Sequence, residues 1–160
     1  MDLYTENQFT VKEIDWNVAN QCIVRASREF DVHPLVIKAV MLTENGKPGM
    51  VNRNTNGTYD VGPMQLNTIN IPSLRKKFPW LTPNLLANNT CANIIAGSYF
   101  LSEKIKEAGN VVEGVGNYHS KTDKYHQRYL GRFKPIFRKL VAESKSRIEA
   151  MKQRSAIVRF

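Results

Sequence analysis

Leu42–Gly46, with the sequence LTENG, places one carboxylate, Glu44, at the end of a long apolar run. The run begins at Leu35 and is apolar on nearly every side, which is typical of a buried helix. The Asn-Gly pair after the glutamate commonly ends a helix. The segment that follows is rich in Asn and Gly and ends in Gly62–Gln65, with the sequence GPMQ. We therefore predict that Glu44 closes a core helix and faces the turn at Gly62–Gln65.

The length and composition of the chain predict one globular domain. The chain has 160 residues, of which 42% are hydrophobic and 23% are charged. A chain of this length buries roughly two-thirds of its unfolded surface. No apolar run approaches the roughly 20 residues that a membrane span needs. The first six residues have neither a basic start nor an apolar core, so we expect a cytosolic start or a mature chain with an added Met1 rather than a signal peptide.

The net charge of +9 is concentrated in the last quarter of the chain. Residues 1–120 contain eleven basic and eleven acidic residues, whereas residues 121–160 contain twelve basic residues and three acidic ones. Such a segment favours an anionic partner, which can be nucleic acid, a membrane surface or an acidic polymer. The alternative is a solvated helix face, and the sequence leaves both interpretations open.

The two cysteines, Cys22 and Cys91, are 69 positions apart and belong to no CxxC motif or Cys/His cluster. This spacing argues against a zinc site. One interpretation is a pair of buried thiols, since free cysteines are among the most buried residues. The other is a disulfide, which would indicate an oxidising compartment.

Apolar residues at helical spacing predict a mainly α-helical fold. Asp15 is expected to cap the first helix, and Pro135 favours a bend in the last one. The predicted helices cover residues 16–30, 35–43, 91–108, 111–118 and 124–152. We expect residues 1–15 to form a loosely attached N-terminal arm, residues 16–130 the domain, and residues 131–160 a basic helical extension.

The centre of the chain is predicted to be irregular. Residues 45–62 form a loop, and Asn56-Gly57 is a strong turn signal that predicts a small hairpin. Residues 66–79 are expected to be partly helical with a break at Pro72. A further short helical turn is expected to begin at Thr82-Pro83.

Glu44 is the first candidate for a functional residue. A carboxylate at the end of a buried helix is partly desolvated, which raises its pKa, and the negative potential of the helix C-terminus acts in the same direction. Such a carboxylic acid can protonate a leaving oxygen as a general acid. Taken alone, however, a glutamate just past a helix end is more often a surface residue.

The sequence contains no convincing partner for Glu44. Glycosidases that use two carboxylates hold them about 5–10 Å apart. Asp60 is the nearest candidate, but an Asp in an Asn/Gly turn is more often a local cap. This shortage fits a reaction that needs only one carboxylate.

Two other segments contain candidate binding residues. Gly62 permits close approach of the backbone to a ligand, Met64 offers an adaptable apolar wall, and Gln65 supplies a donor and an acceptor. A core position is nevertheless the commoner explanation of a methionine. Tyr118 could hydrogen-bond a catalytic carboxylate, whereas His119, at a helix end, is more often a cap or a surface residue.

Over about residues 16–130 the chain resembles the lytic transglycosylases of the soluble-transglycosylase (SLT) class, which have the lysozyme-like fold. It is most similar to the small periplasmic members attached to type IV secretion, conjugation and pilus systems. Three departures from the family pattern, at Asn45, Pro63 and His119-Ser120, concern subsites more than activity. The resemblance rests on the helix ending in Glu44, on Asn52–Asn67 with its Asn/Gly loop and GPMQ motif, on Cys91–Ile94, and on Val115–Ser120.

The resemblance implies that the substrate is peptidoglycan, cleaved at the β-1,4 bond between N-acetylmuramic acid and N-acetylglucosamine. Glu44 would protonate the glycosidic oxygen and then act as a base on the muramyl C6 hydroxyl, which closes to a 1,6-anhydro product. The substrate's N-acetyl group would remove the need for a second carboxylate. Asn52 would hydrogen-bond near Glu44, and Tyr118 would orient Glu44 or the acetamido group. The expected groove residues are Gly62, Met64 and Gln65.

The resemblance also implies a Cys22–Cys91 disulfide and a periplasmic location with the secretion signal removed. The expected partners are glycan strands and components of a secretion, conjugation or pilus system. We expect a monomer with no cofactor, no metal and no nucleic-acid partner. The alternatives are a hydrolytic lysozyme of the same fold, with Asp60 positioning a water molecule, and a non-enzymatic helical module that binds nucleic acid through residues 121–160.

Overall fold

The computed structural model describes residue 4 and residues 8–158. The predicted mainly helical, lysozyme-like architecture is confirmed, with a small antiparallel sheet beside the helices. The helices are α1 (Trp16–Phe30), α2 (Pro34–Glu44), α3 (Ile71–Lys77), α4 (Pro83–Asn88), α5 (Thr90–Ala108), α6 (Val111–His119) and α7 (Asp123–Val158). The strands are β1 (Val51–Arg53), β2 (Tyr59–Val61) and β3 (Leu66–Asn67), in the order β1-β2-β3.

The first two helices are bounded by the residues that the sequence indicated. The Asp15 carboxylate caps α1 by accepting the backbone N–H of Asn17 at 3.0 Å. Asn45 adopts a left-handed conformation with φ of 54° and donates its N–H to the Met41 carbonyl, so α2 ends at Glu44. Most of α2 is buried, as its continuous apolar sequence predicts.

The predicted hairpin is confirmed, and a third strand extends it. β1 pairs with β2 around a turn that contains Gly57 at φ of +83°. β3 pairs with β2, and the residues that follow it are helical from Thr68 to Lys77, so the partly helical segment predicted over residues 66–79 is confirmed. The expected break at Pro72 is wrong, because Pro72 lies in the first turn of α3, where a missing N–H costs no hydrogen bond.

The described part of the N-terminal segment, which was expected to form a loosely attached arm, contacts the domain at two points. The Tyr4 side chain is buried, and its ring lies 6.4 Å from the ring of Tyr59. The backbone N–H of Lys12 donates to the carbonyl of Pro48 at 2.9 Å. Parts of the predicted arm and extension, residues 1–3, 5–7 and 159–160, lie outside the described residues.

The predicted Cys22–Cys91 disulfide is confirmed. It joins α1 to the first turn of α5, with the two Cα atoms 5.4 Å apart. Cys22 lies on the buried face of α1 with Ala19, Ile23 and Ala26. The bond therefore fixes the contact between two helices that are distant in sequence.

α7 is longer than predicted and continues through Pro135 to Val158. The boundary expected between domain and extension, at residues 130/131, falls inside this helix. Its first half contributes Tyr129, Leu130 and Phe133 to the core, whereas residues 145–158 are all exposed. No helix in the described ranges is long and apolar enough to cross a bilayer.

Candidate active site

A cleft of about 600 Å³ lies between the hairpin, α5, α6 and the start of α7, and Glu44 lies on its wall. Several side-chain amides around it offer hydrogen-bond donors and acceptors. Phe100 and Tyr125 add aromatic surface. The cleft thus combines a small apolar surface with many polar groups. Such a lining suits a ligand that has hydroxyl and amide groups, such as an amino-sugar chain. The amide residues are Asn54, Asn56, Gln65, Asn67, Asn70 and Asn117.

The Glu44 carboxyl is partly buried at the end of α2, and burial raises its pKa from 4.5 to about 7. The negative charge of Asp60 acts in the same direction, whereas the Tyr129 hydroxyl and the charge of Arg132 lower this pKa. Near neutral pH both protonation states of Glu44 are therefore accessible. A carboxyl with such a pKa can donate a proton and then take one back.

Tyr129 on α7 is the tyrosine that acts on the Glu44 carboxyl. Its hydroxyl lowers the pKa of Glu44, although the two groups lie outside good hydrogen-bond geometry. Burial raises the pKa of Tyr129 well above its ordinary value, so this hydroxyl stays a donor. Its position could not be read from the motifs, because Tyr129 lies one helix beyond the last of them.

The Tyr118 hydroxyl donates to the main-chain carbonyl of Met64 at 2.7 Å rather than to Glu44. Its expected alternative role, orienting the acetamido group of the substrate, stays a prediction. Tyr118 is buried and lines the cleft, with its ring 5.4 Å from that of Phe100. Tyr118 therefore holds the Gly62–Gln65 turn in place. The tyrosine whose hydroxyl acts on Glu44 is Tyr129.

Gln65 lines the cleft beside Glu44, and its amide is fixed from both sides. The Asn52 side chain donates to the Gln65 carbonyl oxygen at 2.7 Å, and the Gln65 nitrogen donates to the backbone carbonyl of Gly62 at 2.9 Å. The amide of Asn52 is thus directed to Gln65, which corrects the expectation of a hydrogen bond to Glu44. Asn52 orients a residue of the cleft wall instead.

Met64 and Gly62 shape the turn from behind, so their expected place along the groove is corrected. Met64 is fully buried and packs against Gly97, where a Cβ would touch the methionine sulfur. Gly62 has φ of +73°, and a Cβ there would collide with the amide of Asn93. The turn directs both residues into the core and leaves Gln65 at the cleft.

Asn93 on α5 was missed as a residue of the site. Its fully buried amide accepts the backbone N–H of Met64 at 2.7 Å and donates to the carbonyls of Val61 at 2.9 Å and Leu86 at 2.8 Å. It thereby ties the turn to α5 and α4. The available signal was an Asn among the mostly apolar residues of a buried helix, because a buried amide needs partners.

Asp60 and His119 both line the cleft. Asp60, which the sequence favoured as a local cap, accepts a hydrogen bond from the Asn67 amide at 2.9 Å and raises the pKa of Glu44. Burial lowers the pKa of the His119 imidazole, with the positive charge of Arg132 acting in the same direction. The ring is consequently neutral near pH 7. The described residues contain no group of three or more His, Cys, Asp or Glu side chains that could hold a metal.

Comparison with known proteins assigns this fold and cleft to a class. The transglycosylase SLT domain family matches residues 21–131, so the chain belongs to this family and is a lytic transglycosylase that acts on peptidoglycan.

Individual relatives are distant but cover most of the chain. The chain is 28% identical over 124 residues to the invasion protein IagB of Salmonella typhimurium strain SL1344, covering 74% of this chain and 76% of that protein. It is 27% identical over 124 residues to the X polypeptide of Escherichia coli K12, covering 75% and 72%. A peptidoglycan-binding-like protein of Escherichia coli O157:H7 is 29% identical over 108 residues, covering 64% and 65%.

Proposed function

We propose that Glu44 is the single catalytic carboxylate of this transglycosylase and that the product carries a 1,6-anhydro-N-acetylmuramic acid end. The observation that supports this most directly is the position of the half-buried Glu44 carboxyl on the cleft wall. Burial there raises its pKa to about 7, which lets one group serve as acid and then as base. The cleft residues Gln65 and Tyr118 are proposed to hold the sugar rings on either side of the cleaved bond.

The proposed reaction has two steps and consumes no water. Glu44 first gives its proton to the glycosidic oxygen, and the N-acetyl oxygen of the muramyl residue supports the cationic C1 as that bond breaks. The Glu44 carboxylate then takes the proton of the muramyl C6 hydroxyl, whose oxygen bonds to C1. Glu44 ends protonated, ready for the next cycle.

The position of Asp60 supports one competing reaction, which is hydrolysis. It lines the cleft with Glu44, so it could instead position a water molecule that attacks C1 and leaves a reducing end, as in a hydrolytic lysozyme. The Asn67 amide already occupies one of its carboxylate oxygens. We therefore favour cyclisation and assign Asp60 an electrostatic effect on Glu44.

Mass spectrometry of digested peptidoglycan tests the proposal. The wild-type chain should release anhydro-muropeptides, and Glu44→Gln should release none while retaining its circular dichroism spectrum. Glu29→Gln, an exposed substitution on α1, is the matched control and should behave as wild type. Reducing ends in place of anhydro ends, or normal turnover by Glu44→Gln, would overturn it.

We further propose that the protein works in the periplasm and opens the wall locally for a secretion, conjugation or pilus apparatus. The disulfide supports an oxidising compartment, and a similar protein bears the name invasion protein. Deletion of the gene should lower conjugation or secretion in its host, and Glu44→Gln should fail to restore it. Full restoration by that variant would contradict a wall-opening role.

A further inference from the structure

The distal half of α7 has a narrow apolar stripe that the domain leaves uncovered. Its residues recur at alternating intervals of three and four, which is the a/d spacing of a coiled coil. Exposure of the side chains reaches 49% at Ile148, 67% at Met151 and 84% at Val158. We call this stripe the seam, and its residues are Val141, Ser144, Ile148, Met151, Ser155 and Val158.

Basic residues flank the seam on both sides. Lys145 and Lys152 lie along one edge and Arg147 and Arg154 along the other, each pair seven residues apart. These are the positions that face the partner's flanking residues in a coiled coil. The side chain of Arg147 is 72% exposed and reaches Glu143 only at 3.9 Å, so this ion pair adds little.

The seam already has the shape that receives a side chain from a second helix. A hollow on its surface is lined by Ile148, Met151, Lys152 and Ser155, with Ala156 at its border. Four residues at these intervals form the hole into which a coiled-coil knob inserts. This concave surface lies at the centre of the seam, where a side chain of a second helix would insert.

We propose that the seam binds an α-helix of a partner protein whose own apolar a/d residues are flanked by acidic residues. A second copy of this chain would bring basic edges against basic edges in either orientation, which is destabilising. A membrane surface fits less well, because membrane-binding helices present Trp, Phe or Leu on a broader face, whereas the seam contains two serines. Acidic residues on both sides of the partner's apolar residues would neutralise the basic residues along both edges of the seam.

The probe is a fluorescent synthetic peptide of three heptads, with Ile at a, Leu at d and Glu at e and g, titrated with the full chain. We expect saturable binding that weakens as salt is added. The same peptide with Lys at e and g should bind at least about tenfold more weakly. Changing Lys145, Arg147, Lys152 and Arg154 together to Glu should reverse this preference.

The double variant Ile148→Asn/Met151→Asn should lose binding, whereas Ala150→Asn/Gln153→Asn, on the outer face, should keep it. Equal binding of both peptides, or of neither, would overturn the proposal. So would dimerisation of the chain that requires Ile148, or binding to phosphatidylglycerol vesicles without binding to the acidic peptide. Wall lysis should be unchanged in the seam variants, so this test is independent of the role of Glu44.

Discussion

The rings of His119 and Tyr129 stack face to face, with centroids 4.7 Å apart and planes inclined by 5°. The guanidinium of Arg132 lies 5.6 Å from the centroid of the Tyr129 ring. The stack joins the last residue of α6 to α7 and holds the Tyr129 hydroxyl beside Glu44. The long C-terminal helix is part of the cleft wall through Tyr125, and we expect substitutions at its start to change the activity.

Tyr129→Phe should shift the pH profile of wall lysis. The hydroxyl lowers the pKa of Glu44, so its removal raises that pKa and keeps the acid protonated at higher pH. We expect the alkaline limb of activity to move upward while the protein stays folded. Tyr99→Phe, outside the cleft, is the control. An alkaline limb that stays in place would show that this hydroxyl does not act on Glu44.

Glu44→Gln should stabilise the protein at pH 8 but not at pH 4. Because the folded-state pKa is raised from 4.5 to about 7, the unfolded chain releases this proton first, and stability falls as pH rises between those values. One pKa unit corresponds to about 1.4 kcal/mol, so the upper limit of the effect is about 3 kcal/mol. Thermal unfolding of both proteins at both pH values measures it. An equal difference in Tm at pH 4 and pH 8 would contradict the raised pKa.

Asn93→Ala should destabilise the fold and reduce activity together. It leaves one buried N–H and two buried carbonyls without their partner, and each such group costs about 1–3 kcal/mol. We expect a loss of at least about 3 kcal/mol in urea unfolding. Asn84→Ala, at an exposed position on α4, is the matched control. If Asn93→Ala is as stable as the control, the turn does not depend on this amide.

Removal of the disulfide should lower stability without abolishing the fold. The bond closes a loop of 69 residues, for which the chain-entropy model gives about 4 kcal/mol. We expect Cys22→Ser/Cys91→Ser to unfold at lower urea concentration than wild type. A reductant should reproduce the effect in wild type and add nothing to the double variant. Equal midpoints for all samples would mean that the bond does not restrict the unfolded chain.

The helices and the hairpin could be predicted because their signals are local. Asp15 caps a helix through its own neighbours, and Asn56-Gly57 makes a turn whatever surrounds it. The short strand β3 was missed because two residues contain no periodicity to detect. Pro72 was misread for a related reason, since a proline breaks a helix or begins one according to where the helix starts.

The site was predictable as a set of segments but less so as a set of side chains. Glu44 and Gln65 do lie at one cleft. Met64 turns inward because the left-handed conformation of Gly62 directs it to Gly97, which no motif reveals. Tyr118 and Tyr129 both lie near Glu44, but the hydroxyl that lowers the pKa of Glu44 is that of Tyr129. That role depends on how α7 packs against α2, a contact between segments far apart in sequence.

The unbroken course of α7 makes it a spacer. Tyr129 beside Glu44 and Met151 in the seam belong to one helix, and at 1.5 Å per residue their separation is about 33 Å. A partner that binds the distal half of α7 would therefore fix both the distance and the direction from its binding site to Glu44. Pro135 lies between the two ends, and a bend of α7 at that residue would change the direction in which the cleft faces relative to the seam.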